Sequence, residues 1–299
     1  MHVVITGGSG FVGQELTRLL ESKGHTVTIL TRKNSSQNGM TKKVQWLANG
    51  AKPEIELHNV DAVVNLAGTS INDGRWTEEH KEKIYESRME ATDELLRIVG
   101  ELEQKPNVWI NASAIGIYPA STTAIYTENS IERGTDFLAK TVIDWEQKAE
   151  HAEKFGTRVA SGRFGIILGK DEGALPLMAT PYKMGVGGKI GSGDQWLSWV
   201  HVHDVARAIV FAMENEHLHG PFNVVAPDAK QNNAFGKILG AVLNRPHWFP
   251  VPSFILKAVL GDKSALVLEG QHVKPEKLES LGFQFQYPTL TNALHAIYS

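Results

Sequence analysis

The sequence predicts an α/β fold: a Rossmann-type doubly wound parallel sheet with a smaller mixed C-terminal substrate lobe. Three observations carry this. Short β-branched runs alternate with amphipathic helical stretches over the first two-thirds of the chain, a glycine turn joins the first run to the first helix, and past Gly169 the texture changes to segments broken by glycine and proline. Strands separated by helices of this length imply βαβ units with right-handed crossovers.

Val3–Ile5 reads as a buried strand, followed by a helix from about Phe11 to Lys23 that Gly24 ends. Thr26–Leu30 is the second strand. Asp61–Leu66 is apolar almost throughout, as a strand covered on both faces should be. A long helix is expected from about Thr77 to Glu103, stopped by Pro106; then a strand at Val108–Ala112, a helix at Thr135–Phe155 and a strand at Arg158–Leu168. Glycines crowd Gly185–Gly193, and shorter helical pieces follow near Val205–Asn215, Asn232–Leu243, Ser253–Leu260 and Pro275–Leu281. These divide the chain into a dinucleotide-binding domain, residues 1–169, to which 196–219 returns, and a substrate lobe built from 170–195 and 220–299.

Composition excludes several function classes. The chain has 299 residues with a formal net charge of −3, so it offers no broad basic field for nucleic acid or an anionic membrane. It has no cysteine, which rules out disulfides, thiolate metal sites and cysteine nucleophiles. No apolar run is long enough for a membrane span, and Met1–Ile5 lacks the charged start and long apolar block of a signal peptide. A cytoplasmic protein is expected.

The strongest motif is Thr6-Gly7-Gly8-Ser9-Gly10-Phe11-Val12-Gly13, a G-x-x-G-x-x-G turn between the first strand and the first helix. Gly7 permits the tight turn, Gly10 lets backbone approach a pyrophosphate, and Gly13 lets the helix pack on the strand. The anion then lies on the free N–H groups of Ser9 to Gly13 at the helix N-terminus. Cofactor choice is written at the end of the second strand, where NAD enzymes place a carboxylate and NADP enzymes an arginine. Here the strand runs into Thr31-Arg32-Lys33, with no carboxylate before Glu54. Arg32 can fork onto a 2′-phosphate, so NADP(H) is the expected cofactor; the alternative is a pair of solvated surface cations.

Seven blocks in order then resemble one family: TGGSGFVG at the start, VVNLAG at 63–68, the stretch from Arg75 to Thr92, SAIGIYP at 113–119, RFGIILG at 163–169, MGVGGKIGSGDQWLSWVHVHDVARAI at 184–209 and FNVVAPDAKQNNAF at 222–235. The chain resembles an atypical extended short-chain dehydrogenase/reductase of the epimerase-family branch, related to NAD(P)-dependent nucleotide-sugar epimerases and dehydratases. The resemblance implies that Leu66, Ala67 and Gly68 pass beside the adenosine and ribose, and that Arg88 faces the cofactor. Alternatively, Arg88 is a surface partner of Glu82 or Glu86.

In one respect the chain departs from that family, which uses a Tyr-x-x-x-Lys pair to move the alcohol proton during hydride transfer. Counting back from Trp145-Glu146, those slots hold Leu138 and Val142, and neither side chain can move a proton. Ser113 and Tyr118 are the nearest candidates for a rearranged site. Ser113 would donate a hydrogen bond to substrate or simply cap the strand end, and Tyr118 would act as an acid or line the wall. His201, His203 and Asp204 lack a further ligand at metal spacing, so no metal is expected; Asp204 stands where an N-cap should open the helix at Val205. Arg163 and the Gly185–Gly193 loop would face an anionic substrate, unless Arg163 is paired with a carboxylate.

Two functions fit. One is an NADP(H)-dependent oxidoreductase or epimerase-like enzyme acting on a small, sugar-like or phosphorylated substrate. The other is a cofactor-binding protein that senses NADP(H) or binds a partner without catalysis. The helices at 77–103 and 135–155 are candidates for a homodimer contact.

Overall fold

A computed structural model describes residues 1–299, the side chain of Asn38 excepted. In chain order the strands are β1 (His2–Thr6), β2 (Thr26–Thr31), β3 (Ser36–Asn38), β4 (Thr41–Gln45), β5 (Ala62–Asn65), β6 (Val108–Ala114), β7 (Ile125–Tyr126), β8 (Arg158–Phe164), β9 (Ile166–Leu168), β10 (Trp196–Leu197), β11 (Trp199–His201), β12 (Gly220–Val224), β13 (Lys230–Gln231) and β14 (His272–Val273). The helices are α1 (Phe11–Ser22), α2 (Glu78–Glu101), α3 (Phe137–Glu150), α4 (Leu175–Lys183), α5 (Val202–Glu214), α6 (Asn232–Val242), α7 (Ser253–Leu260), α8 (Ala265–Leu268), α9 (Glu276–Ser280) and α10 (Leu290–Tyr298).

The main sheet has the order β12-β8-β6-β5-β1-β2-β4-β3, parallel except for the antiparallel β3–β4 edge. Side chains alternate across it. Val3 and Ile5 join a core with Leu16 and Leu20 of α1 and Val205 and Ile209 of α5, whereas Val4 and Val63 face the opposite layer with Leu95 and Ile98 of α2. The two faces are thus filled by the helices on either side, as the apolar Ala62–Val64 run of β5 requires. Strand order reverses at β1, whose neighbours are β2 and β5. A crevice therefore opens beyond the carboxyl ends of these strands, where the chain leaves toward opposite sides.

Local chemistry sets the helix ends. Thr77 caps α2 by accepting from the His80 N–H, and Asp136 caps α3 by accepting from the N–H groups of Leu138 and Ala139. Thr289 caps α10 in the same way.

The structure differs from the sequence expectation in four places. The strand expected at Arg158–Leu168 breaks at Gly165, where an added Cβ would come 2.4 Å from the Ser198 carbonyl oxygen, so β9 leaves the main sheet and pairs with β11. The segment Trp196–His201 forms small ladders with β9 and β13 rather than rejoining the main sheet, and only α5 packs back on it. Gly220–Val224, expected in the smaller lobe, pairs with β8 as the edge of the main sheet. Helices α4 and α10 carried no clear signal: α4 is interrupted by Pro181, and α10 is short. Both bury Leu175, Tyr182, Leu290 and Leu294 against Phe235 and Leu239 of α6, which is the core of the smaller lobe.

Asp204 is not the cap of α5. The helix opens three residues earlier than expected, and His201 caps it by accepting from the His203 N–H at 3.1 Å. Asp204 is instead fully buried and accepts from the N–H groups of Gln286 and Tyr287, both at 2.8 Å, while also pairing with Arg207. It stitches the C-terminal segment to the sheet layer.

Candidate functional site

The glycine turn closes on itself. Gly7 has φ +67°, and an added Cβ would lie 2.6 Å from the Leu66 carbonyl oxygen. At Gly13 a Cβ would meet the Gly7 oxygen at 2.4 Å and the Gly8 Cα at 2.6 Å, so the helix can seat on the turn only without a side chain there. Gly10 is different. Its Cβ would touch only the Gly7 oxygen, at 3.3 Å, and otherwise enter open space. Gly10 is also the N-cap of α1, with no side chain capping the first turn, so the N–H groups of Phe11, Val12 and Gly13 point toward an outside partner. The Phe11 ring does not line this space. It packs against Gly169 and Gly173, where an added Cβ would come within 2.3 Å and 2.9 Å of it. Phe11 therefore contributes its backbone to the turn and its ring to the loop after β9.

A buried polar chain crosses the carboxyl ends of β1, β5 and β6. The Thr6 hydroxyl donates to Asn65 Oδ1 (2.7 Å) and accepts from the N–H groups of Leu66 and Ala67. Asn65 Nδ2 donates to Asn111 Oδ1 (2.8 Å) and to the Thr92 hydroxyl (3.0 Å), which also accepts from Trp145 Nε1. Every member is buried and bonded, so Leu66, Ala67 and Gly68 are held rigidly at the edge of the crevice. Sequence reasoning missed this chain; its signal is asparagine at the ends of two otherwise apolar strands.

Two arginines flank the crevice. Arg88 is not paired with Glu82 or Glu86. Its Nη1 donates to the carbonyl oxygens of Thr69 (3.1 Å) and Ile84 (2.8 Å), and its guanidinium lies 5.1 Å from the Trp145 ring centroid. It also crowds Gly68, whose added Cβ would come 2.9 Å from Arg88 Cζ. Burial without a carboxylate pushes the Arg88 pKa down to about 10. Arg32, just past Thr31 at the end of β2, is exposed and makes no ion pair among the described residues. The adjacent Thr31 hydroxyl accepts from the Lys33 N–H.

The dyad slots are apolar in space as well as in sequence. Val142 is buried in a cluster with Ile115, Ile117, Tyr126, Val225 and Val273, and Leu138 is half-buried on the same face of α3. One turn beyond Val142, Glu146 forms a buried bidentate pair with Arg163: Nε to Oε1 and Nη2 to Oε2, each 2.8 Å. Burial by itself would lower the Arg163 pKa, but Glu146 and then Tyr118 hold it above its ordinary value.

Ser113 and Tyr118 belong to this same network. The Ser113 hydroxyl donates to Glu146 Oε1 at 2.5 Å, and the Tyr118 hydroxyl accepts from Arg163 Nη1 (2.8 Å) and lies 2.9 Å from Asn223 Oδ1. Tyr118 is fully covered and Ser113 is 4% exposed. Burial pushes the Tyr118 phenol up, against the opposing pull of Arg163. Ser113 and Tyr118 are therefore internal struts that tie β6, β8 and β12 to α3, and Arg163 faces Glu146.

The Gly185–Gly193 loop is likewise self-satisfied at its tip. The Gly191 N–H donates to the Val251 oxygen, Gly193 to Ile190, and Ile190 to Asn232 Oδ1. Burial lowers the His201 pKa to about 4, and His203 Nδ1 meets Glu15 Oε1 at 2.7 Å. Among the described residues no group of three His, Cys, Asp or Glu side chains is arranged to hold a metal, and no helix is long and apolar enough to cross a membrane.

A strap formed by residues 253–269 reaches from the smaller lobe to the loop after β5. Asp262 pairs with Lys81 at 2.7 Å, and the Lys263 ammonium donates to the carbonyl oxygens of Asn72 and Gly74.

Comparison with known proteins follows this geometry. Residues 3–225 match the model of the NAD dependent epimerase/dehydratase family, and residues 251–297 match a domain of unknown function (DUF1731). Epimerase family protein YfhF of Bacillus subtilis (strain 168) is 47% identical over 296 residues, 98% of this chain and 97% of that protein. A solved structure of human epimerase family protein SDR39U1 (isoform2) with NADPH superposes with a TM-score of 0.90 at 36% identity, covering 99% of each chain. The nucleoside-diphosphate sugar epimerase from Corynebacterium glutamicum superposes with a TM-score of 0.79 at 32% identity, over 100% of this chain and 59% of that one.

Proposed function

Since this chain belongs to the NAD dependent epimerase/dehydratase family, we propose that it is a cytoplasmic NADP(H)-dependent oxidoreductase-like protein acting on a small, sugar-like or phosphorylated substrate without a Tyr-x-x-x-Lys dyad. One observation carries the cofactor: two cations, Arg32 and Arg88, stand at the crevice with no carboxylate partner. A half-buried guanidinium met by two carbonyl oxygens and the Trp145 ring, with no carboxylate, is better compensated when an anion joins it, and the open space at Gly10 admits a pyrophosphate. The relative solved with NADPH supports the same choice.

In this reading the backbone of Gly7, Ser9, Gly10, Phe11, Val12 and Gly13 holds the pyrophosphate. Thr31 and Arg32 hold the 2′-phosphate, Leu66, Ala67 and Gly68 lie along the adenosine and ribose, and Arg88 adds positive charge. The dinucleotide supplies a hydride donor or acceptor. The chain's own residues orient it, but Leu138 and Val142 offer no proton at the usual slots. Ser113 and Tyr118 spend their hydrogen bonds internally. The proton that accompanies hydride must then come from water or from the substrate itself.

The test is titration calorimetry with NADPH and NADH. NADPH should bind more tightly, and Arg32→Ala should erase roughly tenfold to a hundredfold of that preference, since a charge-assisted bond contributes about 1.5–3 kcal/mol. Equal affinities in the wild type would overturn the assignment. The burial of Val142 favours a second reading, a cofactor sensor without turnover. Tight NADPH binding with no oxidation across a panel of carbonyl acceptors would select it.

A further inference from the structure

A cavity of 720 Å³ lies between the tip of the glycine loop and the strap. That is within the range of small-molecule sites, roughly 300–1,000 Å³. The strap roofs it without being buried itself: no residue of α7 or α8 is buried, and polar contacts fasten the segment instead. Gln195 Nε2 donates to the Val267 oxygen at 2.8 Å, and Asp262 and Lys263 bond Lys81, Asn72 and Gly74 as described above. Asn72 and Gly74 lie in the loop that follows Leu66–Gly68, so the roof is anchored to the loop that leaves the cofactor crevice.

The chemistry of the lining is specific. Ser192, Ser253 and Ser264 supply hydroxyls; Lys257 is the only cation, and Asp262 and Glu269 are carboxylates. Lys81 neutralises Asp262, which leaves Lys257 against Glu269. A diphosphate would bring two or more negative charges to this balance with no further cation to meet them. The glycine loop cannot substitute as a phosphate cradle, because the N–H groups of Ile190, Gly191 and Gly193 are already donated within the fold.

Building on the reading above, we propose that this cavity is the substrate chamber and that it takes an uncharged or singly anionic polyhydroxylated molecule rather than a nucleoside diphosphate sugar. The serine hydroxyls match sugar hydroxyls, and Lys257 matches one carboxylate.

The experiment uses the full chain saturated with NADPH and three probes, D-glucose, D-gluconate and UDP-glucose, followed by saturation-transfer NMR titration. Glucose and gluconate should bind in the millimolar range, with UDP-glucose no tighter than glucose. Lys257→Ala should weaken gluconate about fivefold and leave glucose unchanged, as loss of one partly exposed charge contact implies. Ser253→Trp, on the exposed face of the strap, should abolish both signals while circular dichroism and NADPH affinity stay at wild-type values. UDP-glucose binding tenfold or more tighter than glucose would overturn the proposal, as would no binding of glucose and gluconate up to about 20 mM. NADPH binding is read separately by its own fluorescence. If it fails, the cofactor assignment falls, and the same three titrations on the protein alone still decide the cavity.

Discussion

Gly10 and Gly13 share one helical turn, yet they are glycines for different reasons. At Gly13 the protein's own backbone excludes a Cβ, so Gly13→Ala should lower stability by about 1–3 kcal/mol, visible as a lower denaturation midpoint. At Gly10 the space beyond the backbone is open, and the proposed function fills it with a pyrophosphate. Gly10→Val should therefore keep a wild-type circular dichroism spectrum and lose NADPH binding in calorimetry; normal binding by a folded variant would make the turn merely structural. His201 offers a pH test. Its imidazole accepts the His203 N–H and is held neutral by burial, with its pKa near 4 against 6.5 unfolded. Between those values the unfolded chain binds the extra proton, so stability present above pH 6.5 is lost as pH falls toward 4. At pH 5 the loss is about 1–2 kcal/mol from this group. His201→Asn, which keeps a capping acceptor, should flatten that part of the melting-temperature profile; an unchanged profile would mean that the site titrates normally. The glycine turn was legible because its spacing along the chain sets the turn geometry. The His201 cap was not, since an aspartate three residues on is the commoner capping residue.

At the scale of the element, α3 turns Leu138 and Val142 inward and then spends Glu146 on Arg163. Removing one member of a buried pair leaves the other uncompensated, so Glu146→Ala should destabilise by about 3–5 kcal/mol, measurable by urea denaturation. UDP-sugar epimerisation should be undetectable in the wild type by chromatography of the C4 epimer. Leu138→Tyr with Val142→Lys should not restore it, because the lysine would enter a cluster of Ile115, Ile117 and Val273 with no counter-charge. Robust turnover by the wild type would require another acid. The apolar character of positions 138 and 142 was readable by counting along the helix. The destination of Ser113, Tyr118 and Arg163 was not, because Glu146, Arg163 and Asn223 meet only when β6, β8 and β12 align beside α3.

Across the whole molecule, the C-terminal segment is fastened to the sheet layer both in the interior and at the surface. Asp204 binds the backbone of Gln286 and Tyr287 in the interior, whereas the strap is held at the surface by Lys81–Asp262 and Lys263. Exposed ion pairs contribute at most about 1 kcal/mol each. Lys81→Ala with Lys263→Ala should therefore leave the melting temperature within a few degrees of wild type and sharply raise amide hydrogen exchange over 253–269. Unchanged exchange would show that the strap is fastened by other means. The helices α2 and α3 pack against the sheet and each other, and their outer faces carry Lys148–Asp93 and Arg97 with Glu54 and Glu94. A homodimer through these helices would have to be built on charge rather than on an apolar stripe.

The amino-acid sequence by itself determined the parallel sheet, the glycine turn and the apolar residues at positions 138 and 142, because each is written in local periodicity or fixed spacing along one element. Only the tertiary structure decided the edge strand at Gly220–Val224, the internal roles of Ser113 and Tyr118, and the chamber beneath the strap. Those depend on which groups far apart in the chain come within bonding distance. A buried carboxylate or phenol takes whatever partner the packing presents, and no spacing along the chain records that choice.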